Sequence, residues 1–252
     1  MTIVWPALFA VAVVAGMWIT ERRSDDRALA RKTYLLGIWG GILGARVWFS
    51  AQYGVWADGM SFWGFVVGAT LAVAFYRRWH SGRWEVGDFP DAAAPALLLG
   101  AALVRVGCFL NGCCYGKPSD LPWAVAYGPS SPAYHGQLRA GFIDAFASSS
   151  LPVHPTQLYE ALFDSGLVLA IVVAPGRTRL PRHFLFLLAV AVYATFRFFL
   201  EFVRGDSGGL TFGVLTFAQA SSLAIALGAL ALMWRGSAVV QKPVTGIEGE
   251  AQ

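Results

Sequence analysis

Apolar residues run through this chain in long blocks rather than in alternation. The blocks are Ile3–Thr20, Tyr34–Tyr53, Met60–Tyr76, Ala92–Leu110, Leu158–Ala174, Phe184–Phe202 and Leu210–Trp234. Each is 17 to 25 residues long, close to the ~20 residues a helix needs to cross a ~30 Å hydrocarbon layer. The pattern predicts an all-α polytopic membrane protein with seven transmembrane helices. One polar stretch breaks the rhythm: Cys113–Pro155 contains Pro118, Pro122, Pro129, Pro132 and Pro152, and is expected to form a surface or re-entrant element. Trp123, Tyr127 and Tyr134 are expected at its interface. The domain organisation expected is a seven-helix unit over 1–235 that carries this insertion at 113–155, then a disordered cytoplasmic tail at 236–252. The first block has no basic residues ahead of it and reads as a retained helix rather than a cleaved signal.

Composition agrees with this reading. Of 252 residues, 56% are hydrophobic and 13% charged, whereas a soluble domain carries roughly a quarter charged residues to face water. The net charge of +4 points to membrane orientation rather than to nucleic acid, because the basic residues are not scattered. Thirteen of the nineteen Lys and Arg gather on one side, at 22–32, 77–83, 177–182 and 235–242. Only Lys117, Arg139 and Arg204 fall on the other. The positive-inside bias then places the N-terminus outside, the C-terminus in the cytoplasm and the 113–155 insertion outside. Gly37, Gly40, Gly41 and Gly44 in the second block, with Gly64 and Gly68 in the third, give small-residue faces for close helix packing.

Charges inside the blocks carry the chemistry. A charge near the centre of a span costs roughly 2.5–3.5 kcal/mol and calls for a partner or a water-filled cavity; Arg46, Arg105 and Arg197 each lie five to seven residues from the outer end of a span. Snorkelling to the outer headgroups accounts for each taken alone, and Arg197 also stands i,i+4 from Glu201, on one helix face. Three guanidiniums at similar depth against one carboxylate still leave an excess of positive charge. A phospholipid phosphate would neutralise it, and the guanidinium fork suits phosphate oxygens.

Three motifs hold these residues. Arg105-Val-Gly-Cys-Phe-Leu-Asn-Gly-Cys-Cys-Tyr-Gly116 closes the fourth block with an Asn111-Gly turn. His154-Pro-Thr-Gln-Leu-Tyr159-Glu160 leads into the fifth. Arg197-Phe-Phe-Leu-Glu201-Phe-Val-Arg204 puts Arg197, Glu201 and Arg204 on roughly one face. Cys108, Cys113 and Cys114 make no four-cysteine zinc pattern, so no metal is expected. They are read as small apolar packing residues, with a transient thioether or a redox role as the alternatives.

At these motifs, and at Gly41-Ile-Leu-Gly-Ala-Arg46, the chain resembles the prolipoprotein diacylglyceryl transferase family. The resemblance covers most of the sequence. It implies a bacterial inner-membrane enzyme with seven helices and a site open to the outer leaflet. Such an enzyme moves the diacylglyceryl group of phosphatidylglycerol onto the lipobox cysteine of a prolipoprotein, without cofactor or metal, and releases glycerol phosphate. By the same resemblance Arg105, Arg197, His154 and Glu201 are the catalytic candidates. Arg46, Arg105, Asn111, Gly116, Tyr159, Arg197 and Arg204 would hold lipid or phosphate. The chain departs from the family pattern at three positions: Trp63 replaces a usual His, Cys108 a usual Asn and Cys113 a usual Glu. Trp cannot accept a proton. His154, Glu201 or the arginine field itself then remains to ionise the acceptor thiol. A different acceptor, or lipid binding without catalysis, are the other readings the sequence leaves open.

Overall fold

The computed structural model describes residues 4–53, 62–81, 89–173, 180–206 and 211–240. They form long helices α1 (Val4–Arg23), α2 (Arg27–Tyr53), α3 (Phe62–Ser81), α4 (Phe89–Asn111), α6 (Thr156–Val173), α7 (Phe184–Leu200) and α8 (Phe217–Val240), with a short helix α5 (Pro132–Arg139) between α4 and α6. Each long helix overlies one apolar block. Among the described residues, four stretches are long and apolar enough to cross a membrane: Phe89–Asn111, Thr156–Val173, Phe184–Val203 and Phe217–Arg235. The last block differs from its expectation at its start. Thr211–Phe212 (β1) and Leu215–Thr216 (β2) pair as a small antiparallel hairpin before α8 begins, turned by Gly213 at φ +65°, and β-branched Thr favours the extended form. Of the tail expected at 236–252, α8 takes in the residues to Val240, and 241–252 lie outside the described residues.

The chain divides into two compact units, Met1–Gly107 with Ala161–Val172, and Cys108–Glu160 with Val173–Gln252. In the first, α2 and α3 pack through their glycines. A Cβ at Gly44 would collide with the Gly64 carbonyl oxygen, and one at Gly68 with that of Gly40. Residues spaced three and four apart place these glycines on one face of each helix, so the backbones touch. Buried hydroxyls in this unit turn back on their own helices: Thr20 Oγ1 donates to the Gly16 carbonyl at 2.8 Å and Thr33 Oγ1 to that of Leu29 at 2.7 Å. A hydroxyl removed from water thus keeps a partner.

In the second unit the 113–155 segment folds on a small core of Tyr115, Ala133 and Val153 with Tyr127 packed against it. Ser131 caps α5, its Oγ accepting the Tyr134 N–H at 3.1 Å. Pro132 follows at the first helical position, where no N–H is needed. Val153 pairs in isolated bridges with both Pro118 and Val125. Tyr134 departs from its expected interfacial place: it is buried, and its hydroxyl donates to the Ala147 carbonyl at 3.0 Å. A phenol ring fills the little core there while its oxygen is satisfied internally. Trp123 remains exposed.

Candidate active site

The second unit gathers three motifs by backbone pairing. At the end of α4 the chain turns through Gly112 (φ +71°) and Cys114 (φ +60°) into an extended stretch at Tyr115–Lys117. That stretch is bonded on both sides. The Gly116 N–H donates to the His154 carbonyl at 2.9 Å, and the His154 N–H to the Lys117 carbonyl at 3.0 Å. On the opposite edge the Lys117 N–H donates to Val203 at 2.8 Å, and the Gly205 N–H to Tyr115 at 3.0 Å. A Cβ at 116 would stand 2.5 Å from His154 Cβ and 2.9 Å from the Val203 oxygen, so only glycine lets the three strands close.

Around this junction several side chains have defined partners. The Tyr159 hydroxyl accepts the Trp123 indole N–H at 2.7 Å and lies 3.3 Å from His154 Nδ1. Gln157, almost fully buried, donates its amide to the Cys113 carbonyl at 2.6 Å and to the Tyr127 hydroxyl at 3.3 Å. Burial pushes the Tyr127 phenol up to about 12. Thr156 Oγ1 donates to the Cys114 carbonyl at 2.8 Å. Glu160, fully buried, accepts the Tyr193 hydroxyl at 2.8 Å.

Arg197 donates to Glu201 at 2.6 Å, the i,i+4 pairing expected on one helix face. Glu201 also accepts the Thr216 hydroxyl at 3.4 Å. Arg204 does not extend that face as expected. The helix α7 ends at Leu200, Glu201–Val203 form a single 3-10 turn, and Arg204 is extended. Its backbone is taken up in the bridge to Gly116, and its side chain pairs with Asp206 at 2.6 Å.

The structure therefore brings together Gly116, His154, Tyr159, Arg197, Glu201 and Arg204 within one unit, with Asn111 exposed at the end of α4. Arg46 and Arg105 lie in the other unit, both partly buried. Trp63 stands in the first turn of α3, and its side chain lies outside the described residues. Sequence reasoning missed Trp123, Asp206 and Thr216 as partners of site residues. Trp123 and Thr216 are 36 and 15 positions from the side chains they meet, beyond any local periodicity.

The cysteines also come together. The Cys108, Cys113 and Cys114 sulfurs lie within 4.8 Å of one another, and the Cys113 thiol points to the Cys108 carbonyl at 3.7 Å. The Cys108 contact lowers the proton affinity of the Cys113 thiol, but Cys114 and burial outweigh it and hold the thiol above its ordinary range.

A family model described as prolipoprotein diacylglyceryl transferase matches residues 2–235. The chain belongs to that family. It is similar to proteins named phosphatidylglycerol–prolipoprotein diacylglyceryl transferase. One, from Methylococcus capsulatus, is 32% identical over 91% of this chain and 89% of its own length. Another, from Oleidesulfovibrio alaskensis, is 34% identical over 91% of this chain and 82% of its own. A third, from Geobacter sulfurreducens, is 31% identical over 84% and 79%. Membership makes the chain a transferase of lipoprotein biosynthesis.

Proposed function

We propose that this chain transfers the diacylglyceryl group of phosphatidylglycerol to the lipobox cysteine thiol of a prolipoprotein, releasing glycerol phosphate. The carrying observation is the junction at Gly116, where the end of α4, the His154 segment and the end of α7 are hydrogen-bonded into one piece. Gly116, His154 and Arg204, which the family resemblance assigns to one reaction, thereby lie on neighbouring, paired backbone segments.

In the reaction the acceptor thiolate attacks the glycerol carbon that bears the phosphate ester. A C–S bond forms, the C–O bond breaks, and the electron pair leaves on the phosphate. By the family resemblance Arg105 and Arg197 are the residues assigned to that phosphate, with Arg46 and Arg204 as further lipid-binding candidates. Guanidiniums set in place beforehand stabilise charge that grows as the leaving group departs. Asn111 binds at the headgroup. Removing the thiol proton falls to His154: its Nδ1 is oriented by Tyr159, while Glu201 is already committed to Arg197 and Thr216. Neither a metal nor an organic cofactor takes part in this scheme, and no nucleic-acid partner is involved.

The membrane arrangement belongs to the same proposal. The seven long helices cross the bacterial inner membrane with the N-terminus outside and the C-terminus in the cytoplasm. This puts the 113–155 insertion and the site at the outer leaflet, where exported prolipoproteins arrive. The one-sided distribution of Arg and Lys supports it.

The test combines purified protein, phosphatidylglycerol vesicles and a lipobox peptide with one cysteine, read by mass spectrometry. A diacylglyceryl mass on the cysteine with glycerol phosphate released is expected, and Arg105→Ala and Arg197→Ala abolish it. Headgroup release that needs a different acceptor would replace the peptide in the scheme, a reading favoured by Trp63, Cys108 and Cys113. Intact lipid through prolonged incubation would leave binding alone.

A further inference from the structure

We propose that Cys108, Cys113 and Cys114 form a three-sulfur binding site for a thiophilic metal cation of the Cu(I) or Zn(II) kind. Three sulfurs bound to one such ion at about 2.3 Å stand roughly 3.8 Å apart. These already lie within 4.8 Å of one another before any ion is bound. Closing the triangle takes side-chain rotation and small shifts, not a new fold.

The backbone is shaped for this convergence. Consecutive side chains on an extended chain point to opposite sides, so adjacent thiols ordinarily diverge. Cys114 instead adopts φ +60°, a conformation that L side chains avoid and that is found where a surrounding structure imposes it. The Cys113 N–H donates back to the Cys108 carbonyl at 3.2 Å, folding the turn so that residue 113 returns to the end of α4. From outside the turn, Gln157 holds the Cys113 carbonyl at 2.6 Å and Thr156 holds the Cys114 carbonyl at 2.8 Å, and both side chains are about 1% exposed. A ligand loop supported by buried hydrogen bonds of this kind is what fixes metal-site geometry.

A disulfide is the competing use of the same atoms. It would join two sulfurs and leave the third without a task, whereas three-way convergence is what a soft cation needs. Thiolate ligands select Cu(I) and Zn(II) over harder ions. Binding replaces thiol protons with the cation and releases those protons to solvent, with no change in oxidation state. Cys113 and Cys114 are partly exposed and Cys108 is buried, so the ion enters from the loop side and stops against the end of α4. The site rests on the second unit's geometry alone and stands or falls separately from the transferase reaction.

The full-length protein in detergent, reduced and metal-free, is titrated with Cu(I) and separately with Zn(II) against a chromophoric chelator of each. We expect one equivalent of at least one ion to be withdrawn, sulfur-only protein ligation in its X-ray absorption spectrum, and loss of binding in Cys113→Ser and Cys114→Ser. Thr156→Val, which keeps all three sulfurs, weakens affinity about tenfold or more. Thermal melting of each metal-free variant separates lost ligation from lost folding. Withdrawal of neither ion beyond the level of the triple Cys→Ser protein would overturn the site. So would isolation of the native protein with a Cys108–Cys113 disulfide that persists in place of metal binding.

Discussion

Gly116 and His154 meet backbone to backbone, the Gly116 N–H on the His154 carbonyl at 2.9 Å, with no room for a side chain at 116. This contact joins the loop after α4 to the segment that carries the proposed base. Gly116→Ala must push the two strands apart, because the atoms it meets are His154 Cβ and two backbone oxygens rather than a flexible side-chain tip. Displacement of about 1 Å at reacting groups costs on the order of a hundredfold in rate. Transfer by Gly116→Ala is expected to fall by about that factor while the protein still inserts. A rate near that of the parent protein would remove Gly116 from the scheme.

The Arg197–Glu201 pair is nearly closed to solvent, with side chains 16% and 4% exposed. Removing one partner of such a pair leaves a poorly solvated charge and costs about 3 kcal/mol. Glu201→Leu alone should destabilise by that order, and Arg197→Met with Glu201→Leu should recover much of it. Denaturation of the single and double variants in one detergent gives the coupling directly. Only additive losses would show that the pair contributes nothing as a unit.

The Tyr159 hydroxyl links Trp123 to His154. Tyr159→Phe removes both hydrogen bonds and keeps the ring. The expected outcome is a fall in kcat of about tenfold to a hundredfold, within the range for disturbed general-base catalysis, together with a changed Trp123 fluorescence spectrum. An unchanged pH–rate profile would argue that Tyr159 does not orient the base.

Tyr127 gives a pH prediction with a definite sign. Its phenol ionises near 10 in the unfolded chain and near 12 when folded, because burial disfavours the phenolate. The folded state therefore keeps the proton longer. The associated stability is complete below about pH 10 and is lost as pH rises toward 12. Tyr127→Phe should flatten this alkaline limb in melting curves, despite losing the bond from Gln157. An unaltered limb would assign the alkaline loss to other groups.

Packing of α2 on α3 gives a stability test remote from the site. Gly44→Leu places a branched side chain against the Gly64 carbonyl and the Gly68 backbone. Overpacking of this kind costs about 1–3 kcal/mol, to be read as a lowered Tm.

Much of this was legible in the residues. Each long apolar block is matched by a long helix among the described residues, and four of these stretches are long and apolar enough to cross a membrane. The glycine spacing in α2 and α3 gave their contact because period 3.6 puts those positions on one face. The Arg197–Glu201 pair followed from the same periodicity. Arg204 did not: the helical pattern carried it onto the Arg197 face, but it lies opposite Gly116 in an extended bridge, and pairing between distant segments leaves no local trace. The hairpin at Thr211–Thr216 was hidden for a similar reason, since its short apolar run reads as helix until its partner strand is known. Tyr134 looked interfacial by type and proved buried, because composition cannot say which aromatic fills a small core.

Sequence by itself determined that this chain is helical, membrane-embedded in character and a member of its transferase family. Those properties rest on composition, periodicity and ordered motifs, all of which are written along one dimension. Tertiary structure alone decided that the three motifs meet at Gly116, that Trp123 supports Tyr159 and that three cysteines converge on one point. Each of these depends on a distance between segments far apart in the chain, and such distances are set only when loop-closing contacts and side-chain volumes are satisfied together.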